Sequence, residues 1–372
     1  MHVPLINLRR LYEDLKPDID AAIGSVLNSG RFILGDVVAQ LEQTLAHYVG
    51  TSYALGVASG TDALLLALRV IGVGQGDFVI TTTFTFFATP EVIIRLGATP
   101  IFVDIEPQTY NMDPEHLDIV IKHLPPSVRS RLKAIIPVHL YGQSADMDEI
   151  TGIATKYGVP VVEDLAQALG AEYKGKKVGS FGLLGGVSFF PTKNLPAFGD
   201  AGMIFTDDST LYEKIKTYRI HGATKKYYYP DWGYNSRLDA IQAAILSVNF
   251  KHLEEWNERR KAIAAKYDAK LQAVVETPAK KHDRTHIYHQ YTIRTPERDN
   301  LRKFLQEKGI ETAIHYPIPC HLQPALSYLG YRGGDLPVSE KVSKEVLSLP
   351  IFQYLSEDEV DYVIDTIVGF FR

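Results

Sequence analysis

Between Tyr53 and Phe205 the chain alternates short apolar runs with stretches of helical periodicity, and this rhythm constrains its fold more than any other feature. Runs of this length, rich in apolar and β-branched residues and bounded by Gly, Pro or Thr, suit buried strands. Strands that recur with helical segments between them join in parallel. Seven strands are expected, at Tyr53–Val57, Phe78–Thr82, Thr99–Val103, 134–138, 160–163, 186–190 and Gly202–Thr206. The fold class is therefore α/β with a largely parallel sheet. Such sheets bind ligands beyond the carboxyl ends of their strands, so chemistry is expected just after each run.

One lysine stands where that rule directs attention. Lys193 follows an apolar strand that Pro191 ends, in a turn closed by Gly199, Asp200 and Gly202 before Met203, Ile204 and Phe205. A lysine held on backbone between two buried strands reaches inward, where an amine has one common use, a Schiff base with a carbonyl. At its ordinary pKa of about 10.4 almost none of it is deprotonated at neutral pH, so burial, a cationic neighbour or the covalent link itself must supply the reactive form. The cofactor this suggests is pyridoxal 5'-phosphate (PLP).

The other strand ends carry matching chemistry. After the first run, Ser59, Gly60 and Thr61 open a Leu-rich helix; the stretch reads either as a phosphate cup of free amides or as an ordinary N-cap. Phe86, after the second run, could stack on a flat heteroaromatic ring, whereas Phe84 and Phe87 read as core. Asp164 is delivered to the end of an apolar strand, and a buried acid needs a donor or cation: a protonated pyridine nitrogen meets that need, and a helix N-cap is the alternative. Gln167, about one turn on, lies over that ring or donates to its phenolic oxygen if it is not on a solvated face. The loop from His221 to Tyr234 combines Lys225 and Lys226 with five aromatics, suiting a diphosphate or an interface. Asn235 precedes a capping-box-like Ser236-x-x-Asp239 and an Ala-rich helix. Gly72-x-Gly74-x-Gly76 follows a helix and precedes a strand, the wrong setting for a dinucleotide fingerprint.

Composition narrows the partners. A net charge of −5 without a long basic run argues against nucleic acid, and a single cysteine, Cys320, excludes an internal disulfide and a multi-cysteine metal site. His282, His286 and His289 are not read as a metal site, because strand alternation puts the last two on opposite faces and no acid or thiol joins them. No leader pattern or membrane-length apolar stretch is evident, so a cytoplasmic location away from membranes is expected. With 372 residues the chain is long enough for two domains. A large domain is placed at 1–245 and a smaller α+β domain at 246–372, with the N-terminal segment able to pack on the latter. The boundary is a long charged helix at 244–274, followed by strands at 287–293 and 311–315, a helix at 301–308 and a last helix after Ser356.

Taken in order, Gly60-Thr61, Phe86, Asp164/Gln167, Ser188/Lys193 and Asn235, together with ASGTDAL, EDLAQALGA, SFFPTKNLPAFGDAG, NSRLDAIQAA and HYPIPCHLQ, make the chain resemble the DegT/DnrJ/StrS group of sugar-nucleotide aminotransferases. The resemblance covers nearly the whole length. It implies a fold-type I PLP-dependent transferase working as a homodimer with active sites shared between subunits. Lys193 would carry PLP, Asp164 would pair with its ring nitrogen, and Phe86 and Gln167 would flank the ring. Gly60, Thr61, Ser188 and, from the neighbouring subunit, Asn235 would hold the phosphate. Arg237, His315 and Tyr316 would touch the sugar. The implied reaction moves an amino group from L-glutamate, through the pyridoxamine form (PMP), to a dTDP- or UDP-linked keto-sugar. Gln167, where some relatives have histidine, and the HYPIPCHLQ segment favour C-3 over C-4 amination. Intact Lys193 argues against a sugar dehydratase, and intact Lys193 and Asp164 argue against a non-catalytic regulatory paralogue. Ala201, where a glycine is usual, and Leu165 and Pro196, where smaller residues are common, depart from the group's pattern.

Overall fold

A computed structural model describes residues 1–372. Its strands in chain order are β1 (Tyr53–Val57), β2 (Phe78–Thr82), β3 (Thr99–Val103), β4 (Leu132–Ile136), β5 (Val162–Asp164), the hairpin β6 (Glu172–Tyr173) and β7 (Lys176–Lys177), β8 (Leu184–Ser188), β9 (Gly202–Thr206), β10 (Tyr291–Arg294) and β11 (Val346–Leu349). The orders β3-β2-β4 and β5-β8-β9-β1 are joined by parallel bridges from Ile135 to Val161 and from Val138 to Asp164, giving one central sheet. Only β9 runs against its neighbours β1 and β8; the remaining pairs are parallel. The reversal places the first residue of β9, Gly202, opposite Val57 and Ser188 at the carboxyl ends of β1 and β8.

Strand periodicity divides the core between two faces. On one, Ala54, Val187, Met203 and Phe205 pack under α2 (Asp36–Val49) through its Val38, Leu41 and Leu45. On the other, Leu55, Val57 and Ile204 meet α3 (Gly60–Val70), whose residues from Ala63 to Leu68 are all buried. Adjacent residues of one strand thus enter different clusters, as a pleat of period two requires.

Several boundaries differ from the sequence-based expectation. β4 and β8 begin and end two residues early, β4 because Pro137 cannot continue the ladder. The long helix expected at 244–274 is two helices, Ala240–Phe250 and Leu253–Leu271, interrupted at Lys251 and His252. The strand expected at 287–293 shortens to β10, and 311–315 forms only a single bridge from Ala313 to Ser348; the true partner of β10 is the fully buried β11. Two N-terminal helices lie outside the expected elements. The first, α1 (Leu8–Ser29), presents Leu11, Leu15, Ile19 and Val26 as an apolar stripe, the first three packed on Ile245, Val248 and Trp256. Arg10 makes a double hydrogen bond to Glu359, at 2.7 and 2.6 Å, in the capping box of the final helix Glu357–Phe371. Val3 lies in the same core as Ile293, Leu301 and Ile310. No helix is long and apolar enough to cross a membrane.

Candidate active site

The carboxyl ends of β1, β5 and β8 open onto one cavity of about 500 Å³. Gly60 and Thr61 line it from the first turn of α3, Asp164 and Gln167 from the turn after β5, and Ser188 and Lys193 from the segment leaving β8. Phe86 enters after β2, and His315 and Tyr316 close the far side. Asn235 and Arg237 do not line it: Asn235 is exposed and bridged to Ile220.

At one end the backbone makes an anion site. Ser59 caps α3, its Oγ accepting from Asp62 N at 3.1 Å, so the Gly60 and Thr61 N–H groups are left without intrahelical acceptors at the positive end of the helix. The N-cap reading therefore holds, and it leaves these two amides free. Packing here tolerates no side chain at the glycines. A Cβ on Gly60 would stand 2.5 Å from Ser188 Cβ, and one on Gly202 would stand 2.4 Å from the Ser59 backbone.

Asp164 is 5% exposed at the end of β5. Its Oδ2 accepts from Thr89 Oγ1 at 2.9 Å and its Oδ1 from Ala166 N at 3.1 Å, and it has no ion-pair partner. Burial raises its carboxyl above the usual range, against the pull of those two donors and of Lys193. A turn follows, so Asp164 caps no helix. Its neighbour Glu163 faces the other way and is completely buried. Glu163 accepts from the N–H groups of Gly179, Phe181 and Gly182 and from His139 Nε2; burial would raise it, but these bonds hold it below the ordinary carboxylate range.

Lys193 is half-buried and lines the cavity. Burial pushes its ammonium down to about 8, although Asp164 pulls the other way. Gln167 is fixed at both ends of its amide, Oε1 accepting from Tyr141 N at 2.7 Å and Nε2 donating to the Tyr316 hydroxyl at 3.0 Å. His315 Nδ1 lies 2.9 Å from Ser348 Oγ, and burial together with Lys193 pushes this imidazole down to about 4, so it is neutral at physiological pH. Phe86 is 60% exposed with its ring 6.2 Å from that of Tyr316, whereas Phe84 is fully buried.

Other expectations are corrected here. The capping box at Ser236 does not form: the helix starts at Ala240 behind Asp239, and Ser236 Oγ accepts from Ala58 N instead. Residues 286–290 are not strand, so strand alternation does not separate His286 from His289; His286 stacks on Tyr288 with centroids 3.9 Å apart, and His289 lines the cavity. Thr89, Asp200, His289 and Gln290 also line the site. The sequence pattern marks none of them as a site residue, and only the position of Thr89 and Asp200 beside motif residues could have flagged them. In the aromatic loop Tyr227, Tyr228, Tyr229 and Trp232 are exposed. Burial pushes the Cys320 thiol up to about 12, the behaviour of an inert group.

These features make three separate demands on one ligand: an anion at the start of α3, a cation against Asp164 and a carbonyl for Lys193. The phosphate, protonated pyridine and aldehyde of PLP answer all three.

Comparison with known proteins agrees. The sequence model described as the DegT/DnrJ/EryC1/StrS aminotransferase family matches residues 13–368. A Geobacillus stearothermophilus protein named pleiotropic regulatory protein is 50% identical over 376 residues, covering 100% of this chain and 99% of its own. The UDP-2-acetamido-2-deoxy-3-oxo-D-glucuronate aminotransferase of Pseudomonas aeruginosa is 43% identical, with 97% and 98% covered. The dTDP-3-amino-3,4,6-trideoxy-alpha-D-glucose transaminase of Streptomyces venezuelae is 41% identical, with 98% and 95% covered. Among solved structures, S. venezuelae DesV in complex with a ketimine intermediate superposes with a TM-score of 0.95 at 40% identity, covering 99% of this chain and 98% of that one. Bacillus subtilis NtdA with bound cofactor PMP gives 0.91 at 32% identity, covering 99% and 85%.

Proposed function

The chain belongs to the DegT/DnrJ/EryC1/StrS aminotransferase family and is an aminotransferase that uses PLP, and from this premise we propose that it moves an amino group from L-glutamate to the 3-keto group of a dTDP- or UDP-linked sugar. The observation that carries the reading is the convergence of Lys193, Asp164 and the α3 N-terminus on one cavity. Relatives named for amino groups at sugar C-3 support the position, since two of those compared act on UDP- and dTDP-sugars by name.

When bound, PLP supplies an electron sink for the bond broken at the substrate carbon. The protein would hold it by the Gly60 and Thr61 amides and the Ser188 hydroxyl at the phosphate, by Asp164 at the ring nitrogen, by Phe86 at the ring face and by Lys193 Nζ covalently. Asp164 suits that role because a carboxylate that burial has raised gains most from a cation placed against it. Gln167, pinned by Tyr141 and Tyr316, presents its amide in one orientation. With its amine free, Lys193 Nζ would take the proton that leaves the substrate carbon and would give it back. An amine whose pKa is near 8 can do both at physiological pH. His315 and Tyr316 would contact the acceptor sugar, a role supported by their lining the same cavity.

Asn235 and Arg237 lie outside the cavity of their own chain, and the exposed tyrosines and Trp232 of the adjoining loop are apolar surface open to solvent. Both facts support a homodimer in which a second copy brings Asn235 to the phosphate and Arg237 to the sugar. One relative is named as a regulator, but binding alone has no use for a lysine pushed into the range of a working base, which favours catalysis.

The test is the visible spectrum of the PLP-loaded protein before and after L-glutamate. The yellow absorbance of lysine-bound PLP should bleach and return on adding a 3-keto-sugar nucleotide. Lys193→Ala should retain cofactor through the phosphate and ring contacts yet lose turnover. Full activity in that variant, or no bleaching in the wild type, refutes the reading.

A further inference from the structure

Beside Lys193 the cavity holds an imidazole that the roles above leave unused. His289 is 4% exposed yet lines the same cavity, and its tautomer can be read from its neighbours. Asn194 Nδ2 donates to the Ile287 carbonyl at 3.2 Å and to Asn257 Oδ1 at 2.7 Å. A carbonyl only accepts, so the amide orientation of Asn194 is settled and its Oδ1 faces His289 Nδ1 at 3.2 Å as an acceptor. His289 therefore carries its proton on Nδ1, and Nε2 is left with its lone pair as an acceptor. Burial first, then the charge of Lys193, hold this imidazole well below its ordinary pKa, so it stays neutral beside the amine. Gln290 Nε2, an amide donor, lies 3.5 Å from His289 Nε2, the outer limit of a hydrogen bond.

The backbone around His289 is held as firmly as its ring. The preceding residue, Tyr288, has φ +48°, left-handed for a bulky side chain. Two unrelated groups fix it there: its N–H donates to His286 Nδ1 at 3.0 Å, and the buried Arg260 Nη1 donates to the carbonyls of Tyr288 at 3.2 Å, His289 at 3.4 Å and Ile351 at 2.9 Å. No carboxylate pairs with Arg260, so this buried cation bonds three main-chain carbonyls, two of them at this bend, and Gln353 Oε1 at 3.3 Å. Strain over-determined in this way and adjoining a cavity is characteristic of sites where one atom must be held in place.

We propose that His289 is a positioning residue for Lys193: its unprotonated Nε2 accepts a hydrogen bond from Lys193 Nζ while that amine carries the proton, keeping Nζ over the reacting atoms. The proton stays on Nζ throughout, and His289 shares an N–H and takes none. The inference rests on the reading of Lys193 as proton carrier given above.

Two variants separate the ring nitrogens. His289→Asn keeps a polar group where Nδ1 stands, able to bond Asn194, and removes the acceptor at Nε2; His289→Gln restores an acceptor near the Nε2 position. The holoenzymes are compared by the rate at which saturating L-glutamate bleaches the yellow absorbance in a single turnover, with cofactor uptake and thermal melting as controls for folding. His289→Asn should be slower by about tenfold or more, as expected for loss of a hydrogen bond to a charged group, with KM for glutamate little changed. His289→Gln should recover most of that rate. Equal rates in wild type and His289→Asn, equal losses in both variants, or a loss confined to His289→Gln each overturn the proposal. Wild-type protein that fails to bleach defeats the parent reading and this inference with it, whereas bleaching in the wild type leaves the variants as a test of His289 alone.

Discussion

Asp164→Asn isolates the contribution of one charge. The asparagine is isosteric, its Oδ1 can still accept from Ala166 N, and Thr89 Oγ1 can turn to accept from the new amide because its hydroxyl also meets Thr85 Oγ1 at 3.2 Å. The fold should therefore change by about 1 kcal/mol or less. Loss of the charge also removes the desolvation that raises the Asp164 carboxyl, so the cofactor-free variant should melt no lower than wild type. Chemistry is another matter. A protonated ring nitrogen left facing a neutral amide in a site this buried costs about 3–5 kcal/mol, the penalty for breaking a buried pair from one side. At about 1.36 kcal/mol per factor of ten, the glutamate half-reaction should slow by roughly 10² to 10⁴. The assay is the stopped-flow bleaching rate of holoenzyme, alongside a thermal melt of the apoprotein. A variant with wild-type rate would remove the pyridinium pairing from the mechanism, and one that is slow only because it unfolds would remove the claim that the charge alone is at stake.

Gly60→Ala adds a methyl 2.5 Å from Ser188 Cβ, so the start of α3 must move away from β8 and carry its free amides with it. Titration of apoprotein with PLP should show affinity weakened by about tenfold or more, with stability lower by about 1–3 kcal/mol from overpacking; unchanged affinity would mean that these amides do not hold the phosphate. Burial pushes His286 down to about 3, far below the unfolded value of about 6.5. The unfolded chain binds that proton first, so the folded protein loses stability as pH falls from about 6.5 toward 3. His286→Asn keeps an acceptor for Tyr288 N and removes the titration, so urea unfolding at a series of pH values should give it the shallower acid slope. Parallel slopes for the two proteins would contradict the assignment.

Much of the site was legible along the chain because each element delivers one residue to a strand end. Lys193, Asp164, Gly60 and Phe86 could be picked out by inspecting the residues just beyond each apolar run, and the sheet itself is implied by run length and spacing. These are local properties: pleat, turn chemistry and helix capping act over a few residues, so sequence carries them. Structure and sequence pattern part where local signals are weak or ambiguous. β11 is four residues between Glu345 and Pro350, too short to stand out, and its pairing with β10 bridges more than fifty residues of chain. α1 carries Pro17 in its interior, which weakens a helical signal, although its apolar stripe can be counted in the sequence.

What sequence alone determined was the fold class and the chemical identity of each strand-end residue. Tertiary structure decided how those residues act on one another. The depressed amine of Lys193, the unpaired carboxylate of Asp164, the pinned amide of Gln167 and the fixed tautomer of His289 all depend on groups 26 to 149 residues away in the chain, or on the exclusion of water. The physical reason is that secondary structure is set by neighbours in sequence, whereas pKa values, hydrogen-bond roles and cavities are set by neighbours in space, and those exist only once the chain has closed around them.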